Sequence, residues 1–396
     1  MKFSVLLPTR NRLEYLHYAV TTVLRQDYED WEIVISDNYS EDDIAGYVRS
    51  LNEPRIKYFR TESFVPVTDN WNNALYHSSG DYVIMLGDDD CLMQGYFSTL
   101  SRLISEHHEP EAIYTSAFVY AYPGVMPDAP QGYLQPYGYA VFFNGNTTPS
   151  WLDRDMALDL VRQSMNFKVR FGYNMQFSLL KRTFIDSLQS RGPFFQSPYP
   201  DYYASNVMLL KAKRILICPL PLVTIGITPK SFGYYFNNRS EKAGDAFLNH
   251  APDPQSLQAL QRTILPGTTL NTCWLIAMET VKARYGGEFP LRVNYLRYRL
   301  LQIANVHKNY FINHNVTAAQ LLEQQQQLRL WERIILSGGL SAAFTVVGLI
   351  PTLTRDRLLD RLRRLMGQCP ENKAPACKEH YNSIIDVFDK VNPLHD

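Results

Sequence analysis

Between residues 3 and 86 short apolar runs alternate with helical repeats, and that alternation confines the chain to an α/β sheet with helices between its strands. Phe3–Pro8 is a compact apolar run, as expected for a parallel strand buried on both faces. A helix follows, with Leu13, Leu16, Val20, Val23 and Leu24 along one side. Asn11 with Glu14 three residues later predicts a capping box in which Asn replaces Ser or Thr. A second run, Trp31–Ser36, ends at Asp37. A helix over Glu41–Leu51, a short strand over Arg55–Arg60 and a helix over Asn70–His77 come next. The run Tyr82–Leu86 then ends at Gly87-Asp88-Asp89-Asp90. In such sheets ligands bind beyond the carboxyl ends of the strands. The polar clusters 9–12, 37–40 and 88–90 all fall at that edge, so the site is expected there.

The chain has 396 residues, enough for two or three packed units. From about residue 106 the alternation blurs. The stretch 114–145, with Tyr120, Tyr122, Tyr133, Tyr137 and Tyr139, reads as irregular strands and loops. A helix is expected to begin near Asp201, followed by an apolar segment, 214–227, interrupted by Pro219 and Pro221. Beyond about residue 240 helices are expected over 269–285, 291–310 and 318–331. The resulting division is 1–105, 106–238 and a mostly helical 239–396. Lys plus Arg and Asp plus Glu number 39 each, so no net field draws nucleic acid, and none is expected as a partner. Five cysteines, at 91, 218, 273, 369 and 377, are odd in number and lack zinc-type spacing, which predicts reduced thiols in the cytoplasm. The first apolar run stops at Pro8-Thr9-Arg10-Asn11-Arg12, too short for the core of a signal peptide.

Three successive carboxylates after a buried strand repel one another. A hard divalent cation, Mn²⁺ or Mg²⁺, relieves that repulsion with oxygen ligands and leaves positions open for diphosphate oxygens. It would also neutralise charge growing on a departing nucleotide diphosphate. The competing reading is a solvated acidic turn. The two other polar loops at the same edge weigh against it.

Val5-Leu6-Leu7-Pro8-Thr9-Arg10-Asn11-Arg12, Ser36-Asp37-Asn38-Tyr39-Ser40-Glu41-Asp42 and Gly80–Asp90, in that order and separation, resemble family 2 glycosyltransferases of the GT-A fold. The likeness is good over residues 1 to about 100, thins through about 235 and stops there. It implies a Rossmann-like nucleotide-sugar-binding domain with a C-terminal helical extension. It also implies an inverting transfer of one sugar from a nucleotide-diphosphate sugar to a carbohydrate or lipid-linked acceptor. By the same resemblance Pro8, Thr9, Arg10, Asn11 and Asp37 hold the nucleotide, and the acidic motif serves metal and ribose. Members commonly carry Asp-x-Asp-Asp, whereas Gly87 stands at the first of these positions here. By register Asp89 is the metal ligand, with Asp90 beside it and Asp88 on the nucleotide-sugar; Asp88 paired with Asp90 is the rival assignment. A carboxylate base is implied about a hundred residues on, which points to Asp201 in Pro198-Tyr199-Pro200-Asp201, where the usual Glu-Asp pair is reduced to Pro-Asp. A plain N-cap is the other reading of Asp201, and Asp186 is the fallback base. Lys230-Ser231-Phe232-Gly233-Tyr234 and Arg239 form a donor-rich loop that could clamp diphosphate. The Gln-x-x-Arg-Trp signature of processive synthases is absent, which implies single addition.

Two other functions compete. A sugar-phosphate nucleotidyltransferase needs a Gly-rich loop after the first strand, and residues 8–12 contain no glycine. A non-catalytic sugar- or nucleotide-binding module would tolerate Gly87 and Pro200. In the last third, 334–353 is mostly apolar and nominally long enough to span a bilayer. The segment 355–366 sets Leu358, Leu359, Leu362, Leu365 and Met366 on one face and five arginines around the rest. Residues 334–366 are therefore read as a soluble helical region, as a contact with the inner face of a membrane, or, least, as a span.

Overall fold

The computed structural model describes residues 1–126, 129–137, 140–143, 145–231, 234–235, 246, 248–249, 260–348, 357–359, 361 and 380–393. The apolar runs become β1 (Phe3–Thr9), β2 (Trp31–Asp37), β3 (Ile56–Arg60) and β4 (Tyr82–Met85). The first three are joined through α1 (Leu13–Leu24) and α2 (Ile44–Leu51), and α3 (Val67–Tyr76) leads from β3 to β4. These strands pair in parallel in the order β3-β2-β1-β4. Every residue of β1, β2 and β4 is buried, which is why their sequences are continuous rather than alternating. Register sets Thr9 beside Asp37 and Asp37 beside Arg60. The polar clusters therefore do share one edge.

The sheet then turns mixed. β5 (Cys91–Leu92) and α4 (Tyr96–Glu106) precede β6 (Ala112–Ala121), β7 (Tyr133–Tyr137), β8 (Ser150–Trp151) and α5 (Arg154–Met165). After these come β9 (Ser178–Lys181), α6 (Arg182–Ser187), α7 (Pro200–Lys211) and β10 (Ile215–Ile227). The sheet reads β3-β2-β1-β4-β9-β6-β10-β5, with β7 on β6 and β8 on β10. β9 runs antiparallel to both β4 and β6, and β10 runs parallel to β6.

Three local expectations are corrected. Residues 112–121 form a regular ten-residue strand where irregular structure was expected, because tyrosines pack well on a pleated surface. The prolines at 219 and 221 do not break β10; the register shifts on either side of Pro221, and the strand continues beyond. The capping box of Asn11 and Glu14 does not form. Asn11 adopts a left-handed φ of 51°, its side chain accepts from Glu41 N (2.7 Å), and Asp42 Oδ2 accepts the Leu13 N–H at 2.9 Å instead.

By its contacts the chain separates into Met1–Asp159 with Phe171–His250 and Lys373–Asp396, and Leu160–Arg170 with Ala251–Asn372. The first unit holds the sheet. It also includes α12 (Ile384–Lys390), whose Ile384, Val387 and Phe388 join Cys91, Met93 and Tyr120 in one apolar cluster; helix numbers α8–α11 belong to the second unit. Gln94 Nε2 donates to Phe388 O at 2.7 Å, and Arg25 pairs with Asp389 at 2.6 Å.

The second unit is helical, as expected: α8 (Thr269–Tyr285), α9 (Tyr295–Phe311), α10 (Ala318–Gln326) and α11 (Gly338–Gly348). α9 starts later than expected because Asn294 accepts the Arg297 N–H and caps it. Residues Glu332–Ser337 form a π-helical turn. Buried Glu332 pairs with Arg299 at 2.6 Å, and buried Ser337 lies 3.0 Å from His307 Nε2. The two anchors are five positions apart. A π register brings positions five apart close to one face, whereas an α register would set them well apart. Among the described residues no helix is long and apolar enough to cross a membrane. Of the amphipathic stretch 355–366, only 357–359 and 361 lie within the described residues. Cys91, Cys218 and Cys273 are buried free thiols; Cys369 and Cys377 lie outside the described residues.

Candidate active site

The acidic loop after β4 is held from three directions. From β1, Thr9 Oγ1 donates to Asp88 Oδ2 at 2.7 Å, and from the loop that follows, Arg12 Nη1 donates to Asp88 Oδ1 at 2.8 Å. The same Arg12 nitrogen lies 3.4 Å from Asp89 Oδ2. From the end of β10, Gly226 N donates to Asp90 Oδ1 at 2.9 Å, while Thr228 and Ser231 hydroxyls both donate to Asp89 Oδ2. From a 3-10 turn, Met175–Phe177, Gln176 Nε2 donates to Asp90 Oδ2 at 2.9 Å. Burial raises the Asp88 and Asp90 carboxyls above their ordinary range; Arg12 pulls Asp88 back, and Asp89 pushes Asp90 further up.

The three carboxylates are not equivalent. Asp90 receives Gly87 N, Gly226 N and Gln176 Nε2, so both its oxygens are committed to fixing the loop. Asp88 is paired with Arg12. The hydroxyl bonds and the Arg12 contact of Asp89 all go to Oδ2, and among the described residues no hydrogen bond reaches Oδ1. Gly87 also has a local reason: a Cβ there would collide with Asp90 Oδ2, which folds back onto the Gly87 N–H. Gly226 is similarly required, since a Cβ would strike the Asp89 carbonyl. Among the described residues no group of three or more His, Cys, Asp or Glu side chains is arranged to enclose a metal ion.

Asp201 occupies the first turn of α7, after Pro200 at a position where a missing N–H does no harm. It is not the N-cap: Tyr199 holds that place, and Asp201 Oδ1 accepts the Met175 N–H at 2.7 Å. Burial pushes its carboxyl up to about 7, with the Met175 bond opposing. Met175 and Gln176 are consecutive, so one turn ties Asp201 and Asp90 to adjacent residues. The two carboxylates thus belong to one floor. Asp186 is exposed on α6 and accepts from Gln189 Nε2 at 3.2 Å; it is not brought to this floor.

The remaining expected residues line the β1–β2 edge. Pro8 is buried in β1 opposite Ser36. Asp37 accepts Ser40 N at 2.9 Å and the Tyr58 hydroxyl at 2.7 Å. Arg10 donates to Asn38 O at 2.6 Å, and its guanidinium lies 3.7 Å over the Phe64 ring. Lys230 Nζ donates to Asn11 O at 2.7 Å, which ties the loop after β10 to the first loop; Phe232, Gly233 and Arg239 lie outside the described residues.

Residues 4–165 match the model of "Glycosyl transferase family 2". This part of the chain is a family 2 glycosyltransferase domain. One relative is the GalNAc(5)-diNAcBac-PP-undecaprenol beta-1,3-glucosyltransferase of Campylobacter jejuni, 40% identical over 108 residues, covering 26% of this chain and 35% of that protein. Another is the UDP-Glc:alpha-D-GlcNAc-diphosphoundecaprenol beta-1,3-glucosyltransferase WfgD of Escherichia coli, 29% identical over 87 residues, covering 22% and 34%. The chain thus spans about a third of the length of these two relatives. A solved structure of Staphylococcus aureus TarS 1–349 with UDP-GlcNAc aligns over 96% of this chain and 100% of that one, at 13% identity and a TM-score of 0.46.

In this family 2 domain, three site residues go unnoticed in the sequence, Gln176, Gly226 and Thr228, and Ser231, part of the donor-rich loop, gives no sign there of its bond to Asp89. No local pattern marks them, because each reaches the acidic loop across 86 residues or more. Arg12 was visible within the first motif, but its pairing with Asp88 was not.

Proposed function

We propose that this chain transfers a single hexosyl residue from a nucleotide-diphosphate sugar to an acceptor hydroxyl, with inversion, during cell-surface polysaccharide or glycolipid assembly. The observation that carries this is the shared floor: an acidic loop with one open carboxylate oxygen, tied by Met175–Phe177 to a buried carboxyl near neutrality. Residues 1–105 are assigned to the donor and 106–238 to the acceptor. Pro8, Thr9, Arg10, Asn11 and Asp37 border the nucleotide, and Asp88, through Thr9 and Arg12, fixes the first loop against the acidic one.

The donor set suits a hard divalent cation. Asp89 Oδ1 would be the protein ligand for Mn²⁺ or Mg²⁺, and Asp90 supports the loop rather than the ion. A bound ion supplies Lewis-acid stabilisation of the departing diphosphate. Asp201, when ionised, takes the proton of the acceptor hydroxyl as that oxygen attacks the anomeric carbon from the face opposite the leaving group. Both relatives named above are glucosyltransferases, and one is named for UDP-Glc. UDP-glucose is therefore the first donor to test. Hydrolysis or transfer of UDP-glucose is expected with Mn²⁺ and to stop on chelation, and Mn²⁺ with UDP should raise the melting temperature by mass action. Binding without turnover on any acceptor or water would indicate a binding module instead.

The acceptor reading is a lipid-linked glycan, the class in both relatives' names. Leu330, Trp331, Ile334 and Ile335 are exposed on the helical unit, and from Arg333 to Arg355 the sequence has no acidic residue. These features favour peripheral contact of residues 334–366 with the anionic cytoplasmic leaflet. The full chain should co-sediment with anionic liposomes at low salt and be released as salt rises, and Ile334→Asp with Ile335→Asp should weaken the binding. Failure to sediment at low salt would leave a protein without this contact.

A further inference from the structure

Gln176 is nine-tenths buried, yet it uses only half of its amide. Its Nε2 donates to Asp90 Oδ2 at 2.9 Å, while its Oε1 is buried with no hydrogen-bond partner. The orientation is not arbitrary: Asp90 already accepts two backbone N–H groups and so takes the NH₂ side of the amide, leaving the carbonyl oxygen to face elsewhere. An acceptor left in this state is destabilising, and nearly all buried polar atoms in native proteins avoid it. Each exception calls for an explanation, and a ligand that completes the bond is one. Gln176 follows Met175, whose N–H is fixed on Asp201. The bare oxygen is therefore carried by the turn that joins the acidic loop to the proposed base.

Given the function proposed above, on which this inference rests, the diphosphate lies at the acidic loop and the attacking hydroxyl lies at Asp201. The sugar being transferred must then lie between them, beside the residue that bridges the two. A hexose presents hydroxyl donors on nearly every carbon, and a carbonyl oxygen only accepts. We propose that Gln176 Oε1 accepts a hydrogen bond from one hydroxyl of the transferred hexose and thereby selects donors that carry a hydroxyl at that carbon. Its Nε2 bond to Asp90 sets the position of the oxygen, so the selecting group is aligned by the same loop that holds the diphosphate.

The test is binding rather than turnover, since fluorine on a sugar ring also slows the chemistry. The probes are UDP, UDP-glucose and UDP-glucose carrying fluorine in place of a single hydroxyl at C2, C3, C4 or C6, titrated calorimetrically with Mn²⁺. Fluorine is close to a hydroxyl in size but donates no hydrogen bond. Wild-type protein should bind one of the four analogues about tenfold more weakly than UDP-glucose, the worth of one such bond. Gln176→Leu should bind UDP-glucose about tenfold more weakly, bind UDP within about twofold of wild type, and no longer discriminate against that analogue. Gln176→Met, closer in shape, gives the same comparison should the Leu variant misfold. Equal binding of all four analogues by wild type would overturn the inference while leaving the donor reading intact. So would an equal loss for UDP and UDP-glucose in both variants, because Gln176 would then act only by supporting Asp90. Failure of wild type to bind either UDP or UDP-glucose would remove the donor reading, and this inference with it.

Discussion

Asp201→Asn is expected to leave UDP-sugar binding unchanged and to lower transfer by about 10²–10⁴-fold, the range for loss of a general base. Asn keeps an oxygen for the Met175 N–H, so the turn that joins Asp201 to the acidic loop stays in place. The wild-type rate should rise with pH and level off above about 7, where the carboxyl is ionised. Stability should move the other way. The folded carboxyl sits at about 7 against an ordinary 3.8, so the folded state holds this proton more tightly than the unfolded one. Its stabilising contribution is complete below the ordinary value and lost as pH rises through about 7. Ionising it in place then costs roughly 4 kcal/mol at pH 8. Asp201→Asn should therefore melt higher than wild type at pH 8, and the two should converge near pH 4. Full transfer activity in the Asn variant, or a product with retained anomeric configuration, would exclude Asp201 as the base.

Asp89→Ala should abolish transfer and the Mn²⁺-dependent part of UDP binding without unfolding the protein. The loop it leaves is still fixed through Asp90 by Gly87, Gly226 and Gln176, and through Asp88 by Thr9 and Arg12. Asp90→Ala is the contrasting variant. It strands three buried donors at about 1–3 kcal/mol each, a loss on the scale of a whole domain's stability. Its main effect should be on melting temperature. If Asp89→Ala binds UDP with the wild-type response to Mn²⁺, the ligand assignment is wrong. If Asp90→Ala instead stays folded and loses only the Mn²⁺ response, Asp90 is the ligand.

The parallel half of the sheet could be read from sequence because each of its signals is local. A strand buried on both faces needs an unbroken apolar run, and β1, β2 and β4 are such runs ending in polar loops. What could not be read depends on partners far along the chain. Asn11 carries a capping pattern, yet Ser40, Glu41 and Lys230 bind it into a left-handed turn, and Asp42 takes the place at the helix start. The prolines in β10 look like strand breakers until the register shift around Pro221 accommodates them. Gly87 reads as a defect in a metal motif, and only the fold-back of Asp90 shows why a side chain has no room there. Asp201 is pointed to by the family resemblance, but its burial, which raises its proton affinity against the opposing Met175 bond, is visible only in the fold.

The return of α12 to the sheet-bearing unit has a consequence for synthesis. Domains tend to fold as units while the chain emerges, amino-terminal parts first. Here the apolar cluster around Cys91, next to the acidic loop, closes only with Ile384, Val387 and Phe388. Burial of side chains of that size contributes about 1.5–3 kcal/mol each, together a large part of a domain's usual margin. The ribosome therefore has to deliver residues 251–372, which belong to the helical unit, before the first unit can gain its last cluster. Through that interval β5 and the faces of Tyr120 and Tyr122 in the cluster lack their cover. A nascent chain of this protein would then leave that cluster open to chaperones and proteases until α12 emerges.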